Sequence, residues 1–265
     1  MAESWPRSNK RPDVTDAPKK LFIRFSNAGD HDNIMEFYEL NAHKNVRKRE
    51  QALMKQLIED GAVVLIEDAA GKIVAASMTY PHKTIDKGGV ERVQWQEIGT
   101  TRIVLNGYPG LFDAMVTMQT LRAFLVEPPE STFVAQMHTA PVQGMAEALG
   151  WRRMSAMPQD LMDAKIKSVD PADAANVNAN NWYVCGLEAL PTMATRMVKS
   201  IDDPILENKK TGEKIELDYS RSTFFKLFSP EIRVLANKTY GDVEKPDEQQ
   251  NVRQRRDKWL KNFFR

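Results

Sequence analysis

The sequence has a single cysteine, Cys185, among 265 residues. One thiol cannot close an intramolecular disulfide or supply a cysteine-rich zinc site. No histidine lies near it in sequence, so a buried structural thiol is expected rather than a nucleophile. The four histidines, His31, His43, His82 and His138, are scattered, and none forms an H-E-x-x-H spacing, so no metal is expected. A surplus of one charge is also missing. With 37 basic and 36 acidic residues the net charge is +1, and no global field points to nucleic acid or a membrane surface. No apolar run nears the roughly 20 residues that cross a bilayer. The N-terminus, "MAESWPRSNKRPDV", lacks the apolar segment of a secretory signal. These absences lead to the expectation of a cytoplasmic globular protein, or one within an intracellularly assembled particle.

Apolar residues at helical and strand spacing fill most of the chain. Residues 1 to 20, punctuated by Pro6, Pro12 and Pro18, read as a flexible arm. "KLFIRFSN" reads as a strand, "HDNIMEFYELNA" as a helix capped by Asp30 or Asp32, and "EQALMKQLIED" as a helix with Leu53, Leu57 and Ile58 inward. Between those helices the cationic run "HKNVRKRE" reads as a solvated loop or helix face, with a ligand patch as the alternative. "AVVLIED" and "KIVAASMTY", joined through Gly71, form the clearest hairpin. "PHKTIDKGGVER" reads as a loop and "VQWQEIGTTRIVL" as the next strand. "TFVAQMHTA" is a strand, "PVQGMAEALG" a short helix with Pro141 in its first turn, and "WRRMSAM" a further strand.

The segment from Glu97 to Leu125 joins a strand, a glycine turn and a helix. "NGYPG" stops any helix from running through it, and Leu111, Met115, Met118, Leu121 and Leu125 then recur at helical spacing. A turn of this kind can aim unpaired N–H groups at a phosphate above the helix start. It can equally be a connection that binds nothing. No Walker lysine follows it, and no G-x-G-x-x-G occurs in the chain.

Three stretches, "DGAVVLIEDAAGKIVAAS", "EIGTTRIVLNGYPGL" and "APVQGMAEALGWRRM", together resemble the GCN5-related N-acetyltransferase superfamily over about residues 21 to 154. A seventh strand would come from "NNWYVCGL". The resemblance implies an α/β (α+β) fold with a mixed, mostly antiparallel sheet flanked by helices, and acetyl-CoA as substrate. It places a domain at residues 21–190. Ile103, Val104 and Leu105 would pair through backbone groups with the pantetheine arm. The N–H groups from Gly107 through Tyr108 and Gly110 to Leu111 would hold the pyrophosphate, with glycine letting it approach. The sequence departs from the family pattern in this turn. Gly107 stands where the family has Arg or Gln, Pro109 where it often has Arg, and Phe112 where a second Gly or Ala falls. Thr139 aligns with a family asparagine, and Ala146 with a tyrosine that often acts as general acid.

Acetyl transfer to an amine needs a base for the ammonium proton. Glu97 matches the family's fourth-strand glutamate, and partial burial would raise its pKa into a useful range. Alternatively it is an exposed carboxylate paired with a neighbour such as Arg102. His138, at the end of the fifth strand, can serve as base or acid, or be an ordinary hydrogen-bonded side chain. Tyr108 can stack on the cofactor, donate a proton or simply pack.

Residues 191–265 exceed what such a domain needs. "PTMATRMVKSI" reads as a helix and "PILENKKTGEKIELDYS" as a hairpin. "STFFKLFSPEIRVLANKTYG" has apolar bulk that must pack on the core or a partner. The end, "NVRQRRDKWLKNFFR", carries six basic residues against one acid and reads as a basic amphipathic helix. Two functions follow. One is N-acetyl transfer to a small-molecule or protein amine. The other is a non-catalytic module in a larger assembly, such as a phage particle, joined through the arms 1–20 and 191–265 to a protein partner or a second copy. The tail itself can dock on its own domain, on another chain, or on nucleic acid or an anionic surface.

Overall fold

The computed structural model describes residues 17–43, 46–85, 88–126 and 132–238. Most of the N-terminal arm and the whole basic aromatic tail lie outside the described residues.

The strands are β1 (Lys19–Phe25), β2 (Val63–Asp68), β3 (Ile73–Ile85), β4 (Glu91–Ile103), β5 (Thr132–Gln136), β6 (Arg152–Arg153), β7 (Trp182–Cys185), β8 (Ile205–Glu207) and β9 (Lys214–Asp218). The helices are α1 (His31–Leu40), α2 (Gln51–Glu59), α3 (Pro109–Val126), α4 (Ala140–Ala148), α5 (Gln159–Ser168), α6 (Leu190–Asp202) and α7 (Thr223–Ala236). The strands form one sheet in the order β6-β7-β5-β4-β3-β2-β1-β9-β8. Only β1–β9 and β4–β5 are parallel; the other pairings are antiparallel. This is the mixed, mostly antiparallel sheet that the resemblance implies.

Both faces of the sheet are covered, which explains the nearly unbroken apolar run of β2. Val64 and Ile66 face a cluster with α3, α6 and α7, while Val63 and Leu65 face α1 and α2. A third cluster joins Ile98, Phe112, Val116, Trp151 and Tyr183. Since α3 has the sheet on one side and α6 and α7 on the other, most of its residues are buried.

The extension is built into this sheet. Strand β9 lies parallel to β1, with Leu21 opposite Leu217. Arg221 donates to Glu67 at 2.6 Å and lies 3.7 Å over the Phe22 ring. On α7, Phe224 meets Phe25 edge-on at 5.5 Å, and Ile232 is fully buried. The apolar bulk of this stretch therefore packs on its own core.

Four expectations need correction. "PHKTIDKGGVER" is not simply a loop, because β3 runs on to Ile85 and β4 already begins at Glu91. "WRRMSAM" contributes only the two-residue β6. The run "HKNVRKRE" is not wholly solvated: Arg49 is buried and bridges to Val169. Neither Asp30 nor Asp32 caps α1 through its side chain. Asn27 and Asp30 instead form a capping box on the 3-10 turn that leads into it.

Ile232→Ala should cost about 2–5 kcal/mol in chemical denaturation, as for other fully buried large-to-small changes. Val234→Ala, on the exposed side of α7, should stay within about 0.5 kcal/mol.

Candidate active site

Strand β4 sets the geometry. It carries one residue more than β3 between the pairs Ala76–Arg102 and Met78–Gly99, so Thr100 and Thr101 face Ser77 in a bulge. Thr100 has φ of 51°, a left-handed conformation that is costly for a β-branched residue. Its neighbours hold it there. The Tyr38 hydroxyl donates to the Thr100 carbonyl at 2.7 Å, and the Tyr80 hydroxyl lies 2.5 Å from Thr100 Oγ1. Pairing between β4 and β5 runs from Trp95–Thr132 to Glu97–Val134 and then stops. Beyond it the two strands form opposite walls of a cleft of about 270 Å³. Ile98 to Ile103 line one wall and Ala135 to Thr139 the other, with Phe112 and Val116 of α3 also lining it.

Beside the last paired residue lies a buried ionic cluster. Glu97 is 2% exposed. Its Oε1 accepts from Arg49 at 3.0 Å and from the Lys165 ammonium, and its Oε2 lies 2.8 Å from His82 Nε2. Arg49 also donates to Ser168 Oγ at 2.7 Å and stacks 3.8 Å over the Tyr80 ring. Burial alone would raise the pKa of Glu97, as the sequence suggests. Arg49, Lys165 and His82 outweigh it and hold the carboxyl well below the usual carboxylate range. The expected upward shift is thus reversed. Burial drives Lys165 down; Glu97 pulls it back up while Arg49 and Arg47 oppose, leaving it at about 8.

His138 lines the cleft and is half-buried. Burial, then the nearby charges of Arg47 and Lys165, lower its pKa, which keeps the imidazole neutral at pH 7. Of the strand-end residues, Ile103 lines the cleft. The Val104 N–H is committed to Val74 C=O at 3.0 Å, and Val104 and Leu105 pack against the core. Tyr108 is buried in the core cluster. Cys185 is buried as well, which pushes its thiol up to about 12.

The glycine turn lies at the start of α3. Gly107 has φ of +90°, and a Cβ there would come within 2.5 Å of the Asn208 side chain. A Cβ on Gly110 would come within 2.7 Å of Leu206. The chain's own β8–β9 hairpin therefore leaves no room for side chains at these two positions. Asn208 donates to Asn106 C=O at 3.1 Å and accepts from Lys210 N–H at 3.0 Å. Leu111 N–H donates to Tyr108 C=O at 3.1 Å. Among the described residues the amides of Gly107, Tyr108 and Gly110 make no hydrogen bond.

Sequence reasoning missed Arg49, Lys165 and His82 as partners of Glu97. The signal for Lys165 was present but misleading. The inner face of α5 is Leu161, Lys165 and Ser168, so a polar pair hides its apolar periodicity. No group of three metal-ligating side chains is found among the described residues. No described helix is long and apolar enough to cross a membrane.

The strand order, the bulge in β4 and its parting from β5 agree with the mixed, mostly antiparallel sheet that the resemblance implies. Similar solved structures include Rv2747 from Mycobacterium tuberculosis in complex with CoA. It is 13% identical with a TM-score of 0.45, and the match covers 62% of this chain and 98% of that one. A mosquito arylalkylamine N-acetyltransferase like 5b is 14% identical, covering 62% of this chain and 97% of that one, with a TM-score of 0.41. A polyamine N-acetyltransferase from Drosophila melanogaster is 11% identical, covering 63% and 99%, with a TM-score of 0.41. No family model and no curated protein matches the sequence.

Glu97→Gln should destabilise the protein by about 3–5 kcal/mol at pH 7, because it strands two buried cations. A carboxyl with a depressed folded pKa stabilises fully above its unfolded value, 4.5, and less as pH falls. The gap in stability between wild type and variant should therefore be widest above pH 4.5 and narrow on acidification, as followed by thermal melts. Gly107→Ala should cost about 1–3 kcal/mol. Adding Asn208→Ala should recover only the contact part of that loss, leaving the part due to φ.

Proposed function

We propose that this chain is an acyl-CoA-dependent N-acetyltransferase that moves an acetyl group to an amine. The observation that carries the reading is the cleft, which opens where β4 leaves β5 and lies beside the start of α3. A thioester arm laid along Ile98 to Ile103 would run toward the unpaired amides of Gly107, Tyr108 and Gly110. Those amides, at the positive end of α3, suit an anionic diphosphate. His138 is the base in this reading, since it faces the cleft and is neutral at pH 7. It takes the ammonium proton, directly or through one water. The amine nitrogen then attacks the thioester carbonyl, the C–N bond forms and the C–S bond breaks. The attacking nitrogen gives up its second proton as the C–S bond breaks, and the departing thiolate takes that proton through water, since Ala146 stands where the family tyrosine would be and is buried. Glu97 acts through others: its carboxylate holds Arg49 and Lys165 behind the cleft wall. The assembly reading gains no support from the described part of the extension, which packs on its own sheet.

Acetyl-CoA at 100 times its dissociation constant should stabilise the protein by about 2.7 kcal/mol, read as a rise in melting temperature. No shift at millimolar acetyl-CoA would overturn the proposal. With an amine panel and thiol release as readout, His138→Ala should lower kcat by about 10²–10⁴-fold. In wild type, kcat/KM should rise with pH through a midpoint below 6.5, the ordinary histidine value, and the variant should lose that limb.

A further inference from the structure

The cleft has a one-sided charge pattern. None of its described lining residues is an aspartate or glutamate, while Arg102, His43 and His138 all line it. Arg102 makes no ion pair and no side-chain hydrogen bond among the described residues, and its Nε is buried without a partner. Arg102 is half-buried, and its Nε–H is shielded from water with no hydrogen-bond partner in its place. The nearest carboxylate in the strand, Glu97, is not part of the lining and is already shared by Arg49, Lys165 and His82. Behind the wall, Arg49 and Lys165 are two cations against that one carboxylate. On α3, Asp113 is also outside the lining; its charged neighbour is Arg196.

We propose that Arg102 is the anchor for an oxyanion in this cleft, and that the amine acceptor is one carrying a carboxylate, as in an amino acid, rather than a polycation. The word acceptor rests on the acyl-transfer reading; the anion site does not. Guanidinium and carboxylate match as a two-point fork, so one such contact both orients the acceptor and selects it. A second amine, positively charged at pH 7, would find no acid among the described lining side chains to receive it. The same oxyanion chemistry could come from a phosphate of the donor, and the experiment separates the two sources.

The test uses the full chain and two probes that need no turnover: N-acetyl-L-phenylalanine and its carboxylate-free counterpart, N-acetylphenethylamine. Each is titrated by calorimetry, with acetyl-CoA titrated in the same preparation. The expected result is about tenfold or tighter binding of the carboxylate probe, as a hydrogen-bonded charge contact gives. Arg102→Met should erase the difference, and Arg102→Lys should keep part of it; circular dichroism checks that both variants fold. Equal binding of the two probes, or a preference that survives Arg102→Met, overturns the inference. So does a tenfold loss of acetyl-CoA affinity in Arg102→Met with the probe preference retained, which would assign the oxyanion to the donor. If acetyl-CoA does not bind but the preference is present and needs Arg102, the anion site stands and the acyl-transfer reading falls.

Discussion

Glu97 stands at the last position where β4 and β5 still pair, and three nitrogens from three distant segments converge on its carboxylate. His82 comes from the neighbouring strand, Arg49 from the segment before α2, and Lys165 from α5. Each is costly to bury alone, and together they repay the cost only in one arrangement. Arg49 adds a bridge to Val169 and a hydrogen bond to Ser168, so α5 is held against the sheet through the same group. The place where the sheet opens is therefore set by electrostatics as well as by strand geometry.

The bulge at Thr100 and Thr101 completes the opening. Two tyrosines, Tyr38 and Tyr80, fix a backbone conformation that a threonine otherwise avoids, and Tyr80 is also the ring under Arg49. The strained residue, the ionic cluster and the cleft wall thus share one set of contacts. A change in any one of them is felt by the others, and effects at these positions should not add.

Much of the fold was legible because local patterns and tertiary packing agree. The hairpin of β2 and β3 and the helix after the glycine turn are apolar runs matched to burial on both sides, and β9 alternates in step with its burial. The site was legible in part. Glu97 and His138 stand out by type and position, but the partners of Glu97 come from segments whose sequence suggests solvent. Arg49 sits in a run of cations that reads as a surface. Lys165 and Ser168 occupy the inner face of a helix where apolar residues are expected. The two glycines of the turn have a second reason that the sequence hides: Asn208 and Leu206, about a hundred residues downstream, occupy the space that their side chains would fill.

The parallel pairing of β1 with β9 joins the first strand of the sheet to a segment almost 200 residues later. During synthesis at about 5–20 residues per second, roughly 10–40 s separate the appearance of the two strands. Over that interval the outer margin of β1 is an open template for other chains. Lys19, Lys20 and Arg24 space charges along it, and these same side chains bear on how well a nascent chain keeps to itself on the ribosome. Only when the final third emerges does the margin close, and only then does the glycine corner receive Asn208 and Leu206.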